Sequence, residues 1–373
     1  MCILTCEKPS QRTGIPKTDW KVNMHTEFLM GNAAIALGAI AAGVNVVAGY
    51  PGTPSTEVLE TIAKHRPDDV YVEWSVNEKA AMELAAGASY AGARSMVTMK
   101  QVGLNVASDP LMSLEYVGIK GGMVILVADD PGPISSQTEQ DTRHFSRFSK
   151  LPCFDPSSAH EAYEMIQEAF EYSEKYGTPV FLRPTTRVCH GYASIMVKDE
   201  TEYTHHQPEG FIKDSKRWVI FPRLSFMNHK KIEARNQELS DIFSSYEKNT
   251  IHPSCDAFKD SKKGIATGGI SYTYTMETLK KTGMVKTLKI ATPHPFPEKL
   301  AVDFLSGLDE VLCLEELDPV IERELIYICG KYHLPTIING KLSGHTACAG
   351  ENTRDTITTY INTIPWSYLP CHH

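Results

Sequence analysis

The sequence predicts an α/β protein with two domains, each built on a parallel β-sheet in a three-layer arrangement with helices on both faces. Helix-like and strand-like segments alternate over residues 28–195, the alternation stops over residues 196–262, and it resumes over residues 263–365. Such alternation is typical of parallel strands joined by crossover helices. A length of 373 residues also allows two or three domains, each with its own core.

The first predicted domain, residues 28–195, starts with an Ala-rich helix over residues 32–42. Asn32 has the residue type of an N-cap, and Gly43 of a C-terminal stop. Further helices are predicted from Ser55, from Glu78, up to residue 117 and over residues 159–175. The predicted strands cover residues 44–48, 70–73, 95–99, 123–127 and 179–182.

Residues 196–262 are rich in Lys, Arg and His and contain a polar helical stretch near residues 228–245, so they are interpreted as a linker with a helical arm. The second predicted domain, residues 263–365, resumes the alternation with four strands and three helices. Residues 1–27 are interpreted as an N-terminal extension and residues 366–373 as a tail. No internal repeat or low-complexity tract is present, which excludes a solenoid.

The composition excludes several classes of partner. The net charge of -8 provides no basic surface for nucleic acid or for an anionic membrane. The apolar stretches at residues 33–48 and 123–128 are interrupted or too short for the roughly 20 residues that a membrane helix needs. Residues 1–27 lack the pattern of a secretory signal, and nine scattered cysteines fit reduced thiols, so we expect a cytoplasmic protein.

Polar loops follow the first two strands of the first domain. Residues 50–55 (YPGTPS) place Gly52, Thr53 and Ser55 at the carboxyl end of a strand, where parallel sheets bind ligands, but Ser55 could equally serve only as a helix cap. Ser75 and Glu78 match a capping box, which is a structural interpretation. The functional alternative makes Glu78 a carboxylate directed at a ligand nitrogen.

Similar loops follow the next two strands. In residues 98–105 (TMKQVGLN), Lys100 could meet a carboxylate as a point charge, or could be a solvated lysine. Asp129 and Asp130 could bind Mg²⁺ with phosphate oxygens, but the Pro131 that follows favours a turn.

Other common site patterns are missing from the sequence. Residues 264–269 (GIATGG) lack the G-x-G-x-x-G spacing of a dinucleotide site and are interpreted as a structural turn. The sequence contains no P-loop, no C-x-x-C pair and no G-x-S-x-G elbow. We therefore expect no metal ion held by this chain alone.

Taken together, the loops resemble the large (alpha) subunit of the indolepyruvate ferredoxin oxidoreductases. The similar segments are residues 49–55, 73–79, 87–93, 97–105, 109–112 and 127–132, followed by residues 315–319 (EELDP) and 350–351 (GE) in the second domain. The resemblance implies that the first domain has the pyrimidine-binding fold of a thiamine diphosphate enzyme. It implies that the second resembles the transketolase C-terminal domain.

The resemblance also implies roles for individual residues. Glu78 would hydrogen-bond N1′ of the aminopyrimidine and act as the catalytic carboxylate, in a cofactor-binding set with Gly52, Thr53, Gly103 and Asn105. Thr53, Lys100 and Gln101 would lie on the side of the 2-oxoacid substrate. The family reaction is the oxidative decarboxylation of aryl 2-oxoacids such as indolepyruvate or phenylpyruvate, with coenzyme A as acyl acceptor, ferredoxin as electron acceptor and a gamma subunit as partner.

The sequence departs from the family pattern in three respects, the first of which is the N-terminal extension of residues 1–27. Gln101 stands where a His is expected, and the chain contains neither a G-D-[GS] magnesium motif nor cysteine-rich iron-sulfur repeats. Mg²⁺, the [4Fe-4S] clusters and the diphosphate-binding domain are therefore expected on other segments or on a partner. We interpret the chain as a truncated or split alpha subunit, inactive by itself. The alternative is a non-catalytic structural or regulatory module, or a gene fragment that keeps the fold.

Overall fold

The computed structural model describes residues 23–363, which form two α/β units and a small two-stranded ribbon. The strands are β1 (Met24–Met30), β2 (Val46–Gly49), β3 (Tyr71–Trp74), β4 (Ser95–Lys100), β5 (Met123–Ala128), β6 (Cys153–Phe154), β7 (Val180–Leu182), β8 (Tyr192–Lys198), β9 (Thr250–His252), β10 (Lys263–Gly268), β11 (Lys286–Ile290), β12 (Glu310–Leu314) and β13 (Ile337–Asn339). The helices are α1 (Gly31–Ala41), α2 (Thr56–His65), α3 (Glu78–Tyr90), α4 (Gln101–Val117), α5 (Arg143–Ser149), α6 (Ala159–Tyr176), α7 (Thr186–His190), α8 (Ser215–Trp218), α9 (Pro222–Phe243), α10 (Gly269–Thr282), α11 (Glu298–Leu305), α12 (Val320–Tyr332) and α13 (Arg354–Thr363).

The first unit is a parallel sheet with the strand order β3-β2-β4-β5-β7-β6. Helices α1, α2 and α6 cover one face, and α3 and α4 cover the other, each over its own apolar core. After β2 the chain forms β3 on one side of that strand, and β4 then pairs on the other side. Ligands of such sheets bind at this change of direction, beyond the carboxyl ends of the strands.

The second unit has the strand order β13-β12-β10-β11-β9, with β9 as an antiparallel edge strand on an otherwise parallel sheet. Helices α11 and α12 pack on one face, and α10 and α13 on the other. The predicted fold class of two three-layer α/β units is confirmed. The sequence analysis did not predict β9, which lies among residues interpreted as linker.

The ribbon of β1 and β8 was also not predicted. Met24–Met30 pairs antiparallel with Tyr192–Lys198, so β1 begins among the residues interpreted as an N-terminal extension. Helix α9 overlaps the predicted helical arm and contacts both units. Arg235 forms an ion pair with Glu115 at 2.8 Å, and Ser240 donates to the carbonyl of Phe296 at 2.6 Å. The rest of the predicted extension and the predicted tail lie outside the described residues.

The prediction of Asn32 as the N-cap of the first helix is wrong. The cap position belongs to Met30, and Asn32 is a fully buried residue inside α1. Its amide donates to the carbonyl of Pro54 at 2.7 Å and to Glu57 at 2.8 Å, which ties α1 to the start of α2. Within the described part of the chain, no helix is long and apolar enough to cross a membrane.

Candidate functional site

Loops from four neighbouring strands meet at the carboxyl edge of the first sheet. They follow β2 (residues 50–55), β3 (residues 75–77), β4 at the start of α4, and β5 (residues 129–142, the β5–α5 loop). The loops after β2 and β4 flank the point where the strand order changes direction. The topology therefore brings the residues that the sequence analysis selected to one edge of one sheet.

Glu78 is the first residue of α3 and is 9% exposed. The predicted capping box is wrong, because Asn77 is the N-cap and accepts from the amide of Ala80 at 2.9 Å, while Ser75 donates to Glu73 at 3.0 Å. The Glu78 carboxylate is thus not used for capping, and it has no hydrogen-bond partner among residues 23–363. A carboxylate with no partner in the protein is available to a donor group of a ligand.

Gly103 on α4 makes room for the Glu78 side chain. A Cβ at position 103 would lie 2.5 Å from Oε1 and 2.7 Å from Cγ of Glu78, closer than any real contact. Glycine inside a helix lowers stability by roughly 1 kcal/mol relative to alanine, so its presence here needs a packing reason. That reason is the approach of the glutamate, whose side chain lies in the space between α3 and α4 that the missing Cβ of Gly103 leaves, called the recess below.

Lys100 ends β4 beside the loop that follows β2. Its side-chain methylenes pass Gly52, where a Cβ would lie 3.0 Å from Cδ and from Cγ of the lysine. The ammonium group donates to the Gln137 amide oxygen at 3.1 Å, and no carboxylate of the described residues forms an ion pair with it. A lysine with only a neutral partner at a ligand-binding edge can hold an anion.

Gln101 and Asn105 fasten the β5–α5 loop to α4. Gln101 is fully buried, donates to the carbonyl of Thr138 at 3.1 Å and accepts from Ser136 at 3.4 Å. Asn105 donates to Gln140 at 3.1 Å. A glutamine suits the first of these positions because its amide is donor and acceptor at once.

The loop after β2 lies opposite the β5–α5 loop. Thr53 is exposed, and its carbonyl accepts from Ser135 at 3.4 Å. Ser55 is at the N-cap position of α2, but its hydroxyl donates back to the carbonyl of Gly52 at 3.0 Å instead of accepting from the helix. Ser55 therefore fixes the turn that presents Gly52 and Thr53.

Asp129 and Asp130 shape the β5–α5 loop, as the turn interpretation predicted. Asp129 accepts from Arg183 at 2.7 Å, and Asp130 accepts from the amides of Ser135 and Ser136 at 2.9 and 3.0 Å. Burial opposes the charge of Asp130, but these hydrogen bonds and that from Thr186 outweigh it and lower the pKa of the carboxyl group. Both carboxylates are thus committed to the protein.

Among the described residues, one group has suitable atoms for a metal ion, namely Asp141, His144 and Asp318. The oxygens of Asp141 already accept from the Arg143 side chain and from the amide of Asp318 at 3.1 Å, and His144 contacts Asp318 at 2.8 Å. These contacts account for the cluster without an ion.

Gln137 and Gln140, which contact Lys100 and Asn105, were not among the predicted site residues. Their only sequence signal is their position in a long loop after a buried strand. The site is also flanked by exposed apolar side chains of the surrounding loops and helices. These are Tyr50, Trp74, Val76, Val106 and Ile134.

Residues 37–250 match the family described as pyruvate flavodoxin/ferredoxin oxidoreductase, thiamine diphosphate-binding. The chain is 43% identical to the indolepyruvate oxidoreductase subunit IorA of Methanothermobacter thermautotrophicus, over 85% of this chain and 51% of that protein. It is 42% identical to the same subunit of Pyrococcus abyssi, over 80% of this chain and 46% of that protein. The chain therefore spans about half the length of the curated relatives it matches, and the resemblance predicted from the motifs is confirmed.

Solved structures share the fold at low sequence identity. A 2-oxoglutarate:ferredoxin oxidoreductase from Magnetococcus marinus, with 2-oxoglutarate, coenzyme A and succinyl-CoA bound, matches with a TM-score of 0.70 and 18% identity. That match covers 90% of this chain and 65% of the other. A split-gene transketolase, an inactive beta4 tetramer, matches with a TM-score of 0.56 and 14% identity over 89% of this chain and 95% of the other.

Proposed function

Because the chain belongs to the thiamine diphosphate-binding pyruvate flavodoxin/ferredoxin oxidoreductase family, we propose that it supplies the aminopyrimidine half of a cofactor site in an indolepyruvate-type 2-oxoacid oxidoreductase. The observation that carries the proposal is the Glu78 carboxylate, which is buried, without a hydrogen-bond partner among the described residues, and lodged against Gly103. A ring nitrogen of the cofactor is the partner that this recess fits.

Thiamine diphosphate, when bound, supplies the carbanion stabilisation that decarboxylation of a 2-oxoacid requires. Glu78 holds a proton between its carboxylate and the pyrimidine nitrogen N1′, and its burial strengthens that hydrogen bond. Gly52 and Thr53 form the wall beyond β2. Gly103 and Asn105 form the wall on α4.

Lys100 would orient the substrate. Its ammonium has a neutral amide as its hydrogen-bond partner, so a 2-oxoacid carboxylate gains a charge-assisted bond there. Gln101 does not contact the substrate in this proposal. It holds the β5–α5 loop, which carries Gln137, in place through its bonds to Thr138 and Ser136. The names of the relatives favour indolepyruvate, which is an aryl 2-oxoacid, and we extend the proposal to phenylpyruvate.

The diphosphate, Mg²⁺ and electron transfer need groups that we did not find in this sequence. We propose that a diphosphate-binding domain covers the apolar rim around Tyr50, Trp74 and Val76 and completes the site. In the same proposal a gamma subunit completes the assembly, [4Fe-4S] clusters on partner segments pass electrons to ferredoxin, and coenzyme A accepts the acyl group. The assembly would work in the cytoplasm.

Calorimetric titration with thiamine diphosphate and Mg²⁺ tests the proposal, using the chain alone and the chain mixed with a polypeptide that carries the diphosphate-binding domain. We expect tight binding only in the mixture. A cofactor analogue with carbon in place of N1′ should bind less tightly to wild type, and Glu78→Gln should reduce that difference. If wild type bound thiamine diphosphate and the analogue equally well, Glu78 would not be the partner of N1′. If the mixture bound no cofactor, the non-catalytic module would be favoured.

A further inference from the structure

The β5–α5 loop touches the candidate site on one side and the second α/β unit on the other. Towards the site, Gln137 contacts Lys100, Gln140 contacts Asn105, and Ser135 contacts Thr53. Most residues between 133 and 138 are exposed. Because they bury little apolar surface, hydrogen bonds largely determine the position of this segment.

Glu139 makes the contact towards the second unit. Its Oε1 atom accepts from the amide of Gly132 at 2.8 Å and from the amide of Gly350 at 2.9 Å. Gly132 has a φ of +65°, and a Cβ there would lie 3.0 Å from the amide nitrogen of Glu351. One carboxylate oxygen therefore joins the start of the loop, its end and the second unit.

We propose that Glu139 is a positioning residue through which the second unit fixes Gln137, which contacts Lys100 on the substrate side of the site, and Gln140, which contacts Asn105. The kinetic effect expected of Glu139 rests on the proposed function. The contact that Glu139 makes with the second unit does not. It gives a role to residues 350–351, which the sequence analysis selected and the cofactor site does not use. Without Glu139 the loop would keep its contacts to α4, and Asp141 near its end would keep the bond from the amide of Asp318 at 3.1 Å. The loop would lose the bond to Gly350, which is the attachment nearest to Gln137 and Gln140 in the chain.

A separate network keeps the two units together without Glu139. Arg143 is buried and donates to Glu315 at 2.8 Å and to the carbonyls of Glu316 and Asp318 at 2.8 and 2.9 Å. Removing Glu139 should therefore loosen the loop while the units stay docked. A loss of the Glu139 contact is thereby distinguishable from a loss of the fold.

The contact is tested in the full chain by hydrogen exchange with mass spectrometry. Glu139→Ala should speed exchange at the amides of Gly132 and Gly350 by about tenfold or more, since both lose their acceptor. Glu139→Gln keeps an acceptor oxygen and should stay within about threefold of wild type. Arg147→Ala, which removes an exposed ion pair with Glu324 between the same units, is the matched control and should leave both amides unchanged.

The kinetic consequence is tested in the complex reconstituted with its partner polypeptides. Glu139→Ala should raise KM for indolepyruvate about fivefold with kcat within about twofold of wild type, and Glu139→Gln should restore it. Unchanged exchange in Glu139→Ala would overturn the contact. Faster exchange with unchanged KM would overturn the positioning role, whereas a wild-type complex without turnover would overturn the proposed function and leave the exchange result valid.

Discussion

The carboxyl edges of the two sheets are built alike and use their charged residues differently. At the first edge, Glu78 has no hydrogen-bond partner among the described residues, and Lys100 contacts a neutral amide. At the second edge, Glu315 follows β12, accepts from Arg143 at 2.8 Å and from the amides of Ile321 and Glu322 at 3.0 Å. Glu78 and Lys100 at the first edge therefore have no charged partner within residues 23–363, whereas Glu315 at the second edge is paired with Arg143. Asp129 and Asp130, also at the first edge, differ from them because both are committed to the protein.

The glycines at the two edges show the same contrast. Gly103 leaves space for a carboxylate that has no other partner. Gly269 begins α10 with a φ of +52°, and a Cβ there would lie 3.2 Å from Oδ1 of Asp155 in the first unit. The start of α10 therefore faces an anion that the chain itself provides, which agrees with the structural interpretation of the GIATGG segment. Both sheets have such an edge, so the proposed site rests on the charges at the first edge that have no charged partner in the described part of the chain, not on edge position alone.

Replacing Glu78 should have the largest effect. Glu78→Gln should reduce kcat of the reconstituted complex by about a thousandfold, because a positioned acid or base contributes roughly 10²- to 10⁴-fold. Stability should change by no more than about 1 kcal/mol, since Asn77, not Glu78, caps α3. Steady-state kinetics and thermal unfolding measure the two effects. The exposed Glu83→Gln on the same helix is the control, and a Glu78→Gln complex with normal turnover would contradict the comparison.

Filling the recess should have the next largest effect. Gly103→Ala should lower turnover about 10- to 100-fold, because the new Cβ displaces the Glu78 carboxylate and a displacement near 1 Å can cost about 10²-fold. Gly87→Ala on α3 is the matched control: nothing lies within 4 Å of its Cβ position, so it should stabilise the chain by about 0.5–1 kcal/mol and leave turnover unchanged. Equal turnover in the two variants would show that the recess is not used.

Replacing Lys100 tests whether its ammonium group binds the carboxylate of the substrate. Lys100→Met should raise KM for indolepyruvate about tenfold, with a smaller change in kcat, because a charge-assisted bond is lost. Lys79→Met, which breaks an exposed ion pair with Asp109 at 2.8 Å, should leave KM unchanged. A similar KM in both variants would place the substrate carboxylate elsewhere.

A substitution at the second edge should change the stability of the chain and not its substrate binding. Burial raises the pKa of Glu316 from its ordinary value of 4.5 to about 7. Between these values the folded chain keeps a proton that the unfolded chain has released, so stability falls as pH rises through the interval and then stays level. Glu316→Gln should therefore be more stable than wild type at pH 8, by about 1–3 kcal/mol, and similar at pH 5.

Chemical denaturation at the two pH values measures this difference. Gln can still accept from the amide of Asn352, which contacts the Glu316 side chain at 2.9 Å. The exposed Glu277→Gln on α10 serves as the control and should have the stability of wild type at both pH values. A destabilised Glu316→Gln at pH 8 would mean that the charge itself is needed at the second edge.

The sequence by itself determined the two α/β units, the carboxyl-edge loops and the family. Alternating segments and glycine-marked turns are local signals, and the short ordered motifs around Glu78, Lys100 and residues 50–55 carry the resemblance without a structure. Their shared location at one edge also followed, since parallel strands place all carboxyl ends together.

Only the tertiary structure decided which side chains are committed. The cap of α1 was mispredicted because Asn32 finds a partner 22 residues away, which residue spacing does not record. The cap of α3 was mispredicted because Ser75 donates to the nearby Glu73 and Asn77 takes the cap position. The ribbon of β1 and β8 joins strands far apart in sequence, and Glu139 bonds Gly350 across the unit boundary. Whether Glu78 lacks a partner is likewise a property of everything packed around it, because a buried charge is satisfied or left open by neighbours distant in the chain.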